Sequence, residues 1–186
     1  MKNGRPVGLH RPTRLEHDST PAGSVVRFVA EVSYDGTDFI GYQTQPSGQT
    51  VQDVLEARLS VLCKRQVCIA AAGRTDAGVH ALRQVVQWDY DLQGPHPMVF
   101  RRLGPTPAAA DIASLFQSAM GGVNSNTGMP STIQVLSVRE APPGAFHVRS
   151  SCTGKRYVYT LQVNSHRIVQ LLCRRGVASH PLAQLA

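Results

Sequence analysis

From Val25 to Tyr34 the residues alternate: Val26, Phe28, Ala30, Val32 and Tyr34 line one face at period two, while Arg27, Glu31 and Ser33 interrupt the other. This period predicts a strand with one clean core face. Tyr34-Asp35-Gly36-Thr37-Asp38 reads as a turn, followed by a loop with glycine and proline that runs to Gln49. The period then changes. Val51, Leu55, Leu59 and Leu62 recur at helical spacing, Gln52, Glu56, Arg58 and Lys64 fall off that stripe, and Thr50 stands where a cap belongs. A helix over 51–64 is predicted. Val67 to Ala72 is an apolar run too short for a helix and is read as a buried strand. Gln84 to Tyr90 sets Val86, Trp88 and Tyr90 against Val85, Gln87 and Asp89, which predicts a third strand paired with the previous one, like a hairpin, around the polar segment between them. Asp111 to Met120 is predicted helical, with Ile112, Leu115, Phe116 and Met120 on one side. Strands follow over Ile133 to Val138 and Arg156 to Val163, the second with Tyr157, Tyr159, Leu161 and Val163 on a common face.

Glycine and proline mark the gaps between these elements. Residues 1–24 carry Pro6, Pro12, Pro21, Gly4, Gly8 and Gly23 without apolar periodicity, so a disordered extension is expected. Residues 91–110 form an irregular connection and 121–130 a loop. Residues 166–186, with a break at Arg174-Arg175-Gly176, are expected to be a divergent tail, partly helical or disordered. The order of elements suits an α+β fold with helices on one face of a mostly antiparallel sheet, and a ferredoxin-like βαββαβ unit is the leading expectation for residues 25–165.

Composition narrows the class. The 186 residues are 42% hydrophobic and 17% charged, as a globular chain is, and 19 Lys and Arg against 12 Asp and Glu leave a net charge of +7. Such a surplus favours a polyanionic partner, because clustered cations neutralise phosphates and release counterions. No apolar run reaches the roughly 18 residues of a spanning helix, so no membrane is expected. The N-terminus lacks the apolar region of a secretory signal, which points to a protein of the cytoplasm or an organelle rather than a secreted one. Lys2, Arg5, Arg11 and Arg14 favour an organelle presequence; Glu16, Asp18 and the prolines oppose it. Cys63, Cys68, Cys152 and Cys173 show no CxxC pair and are expected as free thiols, and the seven histidines fall at no zinc spacing, so no metal is expected.

The densest chemistry lies in Gly73-Arg74-Thr75-Asp76-Ala77-Gly78-Val79-His80. A cation two residues before a carboxylate, with glycines on both sides, suits a tight loop that holds an ionised Asp where a ligand approaches. On the residues alone, Asp76 is either an active group or a turn residue paired with Arg74 at the surface.

AGRTDAGVHA resembles the active-site signature of the TruA family of tRNA pseudouridine synthases. Tyr34-Asp35-Gly36-Thr37, Gly41-Tyr42-Gln43 and Gln49-Thr50-Val51-Gln52 resemble the family's first strand, loop and helix start, with Tyr42 where the family usually has Trp. Asn124 to Pro130 is similar to an Asn-x-Asn-x-Leu-Pro element, here NSNTGMP, with an extra residue and no Leu. Phe146-His147-Val148-Arg149-Ser150 and Lys155-Arg156-Tyr157-Val158-Tyr159 resemble the FHARxSA…KxYxY segment. The four motifs occur in order over roughly residues 25–165, which makes chance agreement far less probable than for any one.

The resemblance implies that Asp76 is the catalytic aspartate, with Arg74 beside it, and that Tyr157 packs against the target uracil. On the residues alone Tyr157 and Tyr159 equally fit the packed face of a strand. His147, Arg149, Lys155 and Arg156 are read either as ordinary basic surface or as phosphate contacts. The implied reaction isomerises uridine to pseudouridine in tRNA, with uridines of the anticodon stem-loop favoured, and needs no cofactor. The resemblance also implies a homodimer. It fades after Asn164-Ser165-His166-Arg167, and Ile168 to Ala186 does not resemble the family's second, similarly folded half. The alternative is a truncated, catalytically inactive tRNA-binding remnant of the same family.

Overall fold

A computed structural model describes residues 25–91, 108–120, 132–163 and 167–176. The elements run β1 (Val25–Tyr34), α1 (Val51–Cys63), β2 (Ala70–Ala71), β3 (Ala81–Asp91), α2 (Ala109–Met120), β4 (Ile133–Glu140), β5 (Gly154–Val163) and β6 (Arg167–Gly176). The first four strands form one antiparallel sheet in the order β2-β3-β1-β4, and β5 pairs antiparallel with β6. The expected α+β class with an antiparallel sheet is therefore present. The expected segments 1–24 and 121–130 and most of 91–110 lie outside the described residues, as do NSNTGMP and the end of the tail.

The core face of β1 is the one the alternation predicts. Phe28, Ala30, Val32 and Tyr34 are buried together with Val86, Trp88 and Tyr90 of β3, Val51, Leu55 and Leu59 of α1, and Ile112 and Phe116 of α2. Both helices thus cover one face of the sheet. Phe116 is wholly buried and meets Phe28, Trp88 and Tyr90 edge-on, with ring centroids 5.4, 5.3 and 5.5 Å away. Removing its ring leaves a cavity between the two layers. Phe116→Ala is expected to cost about 3–5 kcal/mol of folding stability, measured by chemical denaturation.

α1 begins at Thr50, as its cap position predicts: the Thr50 hydroxyl accepts the Asp53 N–H at 3.1 Å and donates to Asp53 Oδ2 at 2.6 Å. It ends where Lys64 turns left-handed (φ 54°).

Three sequence expectations change. The run from Val67 to Ala72 pairs only at Ala70 and Ala71, against Gln87 and Val86; Val67 and Ile69 are buried without joining the ladder. The second face of β1 is covered rather than solvated. Val29 packs with Ala70, Phe146 and Val148, and Arg27, 6% exposed, reaches Asp89 through Nε (2.7 Å) and Nη2 (2.9 Å) and the Phe146 carbonyl through Nη1 (2.6 Å). The segment 141–148 lies across this face and satisfies the polar groups it buries, as burial requires. Finally, Arg167–Gly176 is a strand paired along its length with β5, not the helical or disordered start of a tail. A weak apolar period says little about a hairpin whose strength comes from its partner's backbone.

Candidate active site

The polar segment 73–80 joins β2 to β3, and its backbone is held at nearly every step. The Ala72 N–H donates to the Val85 carbonyl at 2.9 Å and the Tyr42 N–H to the Thr75 carbonyl at 2.9 Å. The Gln84 amide donates to the Gly73 carbonyl at 2.9 Å, and the hydroxyls of Tyr34 and Thr75 bond at 2.8 Å. Val79 N–H returns to the Asp76 carbonyl at 3.2 Å, closing a turn, and the N–H of Gly78, whose φ is +75°, reaches the Phe39 carbonyl at 3.1 Å. A left-handed φ is what glycine supplies without steric cost.

The turn after β1 supports this loop from one side. A Cβ on Gly36 would lie 2.1 Å from the Val79 carbonyl oxygen, so backbone meets backbone where no side chain fits. Gly41, with φ +118°, faces Thr75 less tightly: a Cβ there would stand 3.2 Å from its carbonyl oxygen. The His80 Nδ1 lies 3.2 Å from the Gly36 amide and 2.9 Å from Asp35 Oδ1; neutral, it accepts the amide hydrogen, and protonated, it pairs with the carboxylate. Hydrogen bonds from the hydroxyl and amide of Thr37 hold the Asp35 carboxyl below the usual carboxylate range, with His80 a smaller contribution.

Thr75 faces inward, and Arg74 and Asp76 on either side of it are exposed. No ion pair joins Arg74 to Asp76 among the described residues. The pairing expected of Arg74 is thus not part of this arrangement: both side chains sit in water, where such a pair adds little and costs side-chain freedom.

Of the other candidate residues, two come to this loop. Arg149 is exposed and donates from Nε to the Ala71 carbonyl at 3.3 Å, at the loop's entry. Lys155 of β5 lies over Gly73, with Nζ 3.3 Å from where a Cβ would be. Tyr157 follows two residues along the same strand, and hence on the face of β5 that Lys155 shares. Its ring is 38% exposed, so the packed-face reading of this tyrosine does not hold. Arg156, one residue from each, belongs to the opposite face of β5.

His147 is not presented as a surface base. It is 9% exposed, its Nδ1 accepts the Arg149 N–H at 3.2 Å, and its carbonyl accepts the Ser151 N–H at 2.8 Å, so it builds the turn that carries Arg149.

The residues that the sequence reading missed lie beneath the loop. Tyr34 is 4% exposed, and its hydroxyl bonds that of Thr75; burial raises its pKa, against the opposing pull of the Thr75 and Gln84 side chains. The phenol of Tyr42, deeper still, is pushed far above the ordinary tyrosine range, chiefly by desolvation. A tyrosine closing the core face of a strand carries a hydroxyl that must find a partner, which is the one signal that pointed here. Among the described residues Cys63, Cys68 and Cys152 form no disulfide, and burial raises the pKa of the Cys63 thiol to about 11. Among the described residues no three His, Cys, Asp or Glu side chains gather as a metal site would require.

The loop thus presents an exposed carboxylate and guanidinium on a fixed backbone, with two further cations at its entry. Residues 30–99 match the family model described as tRNA pseudouridine synthase. The chain is 41% identical over 136 residues to "tRNA pseudouridine synthase A" of Akkermansia muciniphila, covering 73% of this chain and 43% of that protein. It is 40% identical over 136 residues to the protein of that name from Paracidovorax citrulli (73% and 41%), and 35% identical over 157 residues to that of Burkholderia thailandensis (84% and 50%). Over this region the chain is similar to the tRNA pseudouridine synthases of the TruA family. It spans about half the length of the curated relatives it matches, or somewhat less. No helix among the described residues is long and apolar enough to cross a membrane.

Proposed function

We propose that this chain carries the catalytic loop of a tRNA pseudouridine synthase, within a ferredoxin-like βαββαβ unit over residues 25–165, and that Asp76 is its catalytic aspartate. The observation that carries this reading is the loop itself: its backbone is pinned at Gly73, Thr75, Gly78 and Val79 while Asp76 stands exposed between the anchors. A group fixed by its neighbours and open to a ligand needs little reorganisation to reach a reacting atom. The element order β1-α1-β2-β3-α2-β4 and sheet order β2-β3-β1-β4 support the ferredoxin-like assignment.

The substrate is a uridine of tRNA, in the anticodon stem-loop, flipped out of its stack at a cost of a few kcal/mol that phosphate contacts offset. The bond from C1′ to N1 breaks, the uracil turns while held, and a bond from C1′ to C5 forms; the proton leaves C5 and N1 gains one, so nothing is consumed and no cofactor enters. Asp76 acts at the ribose, Arg74 holds the flipped nucleotide, and Tyr157 offers an aromatic face to the detached base. Arg149, Lys155 and Arg156 meet phosphates. The active form is a homodimer.

Lys155 and Arg149 give this reading a separate test. Replacing either by Ala is expected to weaken tRNA binding uniformly across tRNA sequences and to lower the slope of log affinity against log salt by about 1, as one lost phosphate contact does. Turnover itself is tested by incubating the whole chain with an unmodified tRNA transcript, digesting it and separating the nucleosides. Pseudouridine is the expected product; bound but unmodified tRNA contradicts the catalytic reading.

A further inference from the structure

The loop is not held by its own residues alone. Tyr34, the last residue of β1, and Gln84, on the neighbouring strand β3, both reach the loop: the Tyr34 hydroxyl bonds that of Thr75 at 2.8 Å, and the Gln84 amide donates to the Gly73 carbonyl at 2.9 Å. The strands themselves place these two side chains together, since Val32 pairs with Gln84 and the register shifts between Val32 and Tyr34, which then pairs with Ala81. The irregularity brings the tyrosine at the end of β1 to the loop that leads into β3. Tyr34 is almost fully buried and its ring lies 6.3 Å from that of Tyr42, whose backbone N–H binds the Thr75 carbonyl. Thr75 is therefore gripped by side chain and by backbone, and Gly73 by its carbonyl. Arg74 and Asp76 are the residues left outside this grip.

We propose that Tyr34 and Gln84 are positioning residues, whose hydroxyl and amide fix residues 73 and 75 so that Arg74 and Asp76 are displayed together toward the substrate. The proposal rests on the catalytic reading of the loop, but the grip is measurable without turnover. A side-chain pair on two packed strands supplies a more rigid base than a loop supplies for itself. Loss of either bond leaves the loop tethered but free to shift, and small displacements of a reacting group carry large losses of rate.

The experiment compares Tyr34→Phe, Gln84→Leu, Thr75→Val and Thr75→Ser in the whole chain, by amide hydrogen exchange and by steady-state pseudouridine formation on a tRNA transcript. Tyr34→Phe, Gln84→Leu and Thr75→Val are expected to speed exchange at Tyr42, Gly78 and Val79 by at least about tenfold, with the Trp88 and Leu55 amides unchanged. They are expected to lower kcat about tenfold or more with KM within about twofold, while Thr75→Ser, which keeps the hydroxyl, retains both. Equal exchange at Tyr42, Gly78 and Val79 in wild type and Tyr34→Phe overturns the proposal, as does Thr75→Ser behaving like Thr75→Val. If the wild-type chain forms no pseudouridine, the catalytic reading fails and the exchange comparison still decides the grip. A uniform rise in exchange, Trp88 and Leu55 included, assigns these side chains to general stability and also overturns it.

Discussion

Replacing Asp76 by Ala is expected to abolish pseudouridine formation while leaving tRNA affinity within about threefold, since binding comes mainly from cations and a carboxylate repels phosphate if anything. Asp76 is exposed, and its side chain carries none of the hydrogen bonds that seat the loop; only its backbone carbonyl does, toward Val79. The alanine variant should therefore fold as the wild type does. Asp76→Asn sharpens the test, because it keeps size and polarity and removes only the charge and basicity on which nucleophilic or base chemistry depends. Both variants should melt with the wild type, bind tRNA and give no product by nucleoside chromatography. An active Asp76→Asn would remove the carboxylate from the mechanism.

The second large effect belongs to a residue with no side chain. Gly36→Ala places a methyl where the Val79 carbonyl oxygen already stands, 2.1 Å from the new carbon, with the Val79 carbonyl carbon at 2.5 Å. Backbone on both sides cannot rotate away as a flexible side chain would. The turn after β1 and the 73–80 loop must separate, and the Gly36 amide loses its place against His80. The expected cost is about 1–3 kcal/mol of stability, as for overpacking elsewhere. Turnover is expected to fall about a hundredfold, because the displaced segment is the one that carries Asp76. Gly48→Ala is the control: Gly48 has φ +71° but nothing within 4 Å of a Cβ, so it pays only backbone strain of roughly 1 kcal/mol and should leave turnover intact. Thermal melts and initial rates of the two variants, side by side, separate displacement of the loop from ordinary glycine strain.

Much of the fold was legible where one face of one element decided its structure. The stripe through Val51, Leu55 and Leu59 and the cap at Thr50 predicted α1 almost to its ends, and the alternation from Val26 to Tyr34 predicted the core face of β1. What could not be read was set by partners far along the chain. Arg27 looks like a solvent position until Phe146, 119 residues later, covers it and accepts its hydrogen bond. Gln87 is buried for the same reason, with its amide oxygen accepting the Val148 N–H at 2.6 Å. The strand over Arg167–Gly176 shows itself only through its register with β5.

The site divides in the same way. Gly73 to His80 stands out as a local string, and so do the cations of Arg149 and Lys155. Which of them meet was not legible: Lys155 reaches Gly73 and Arg149 reaches Ala71, whereas Arg156 belongs to the other face of its strand and His147 is spent on a turn. Tyr34 and Gln84 escaped notice because each fits its strand without comment, and only the pairing of β1 with β3 brings both beneath Thr75.

The most direct test is to incubate the 186-residue chain and its Asp76→Ala variant with one unmodified tRNA transcript and to map pseudouridine by carbodiimide labelling and primer extension. The predicted result is a labelled uridine in the anticodon stem-loop with the wild type and none with the variant. A labelled uridine with both proteins, or with neither while tRNA is bound, would contradict the account.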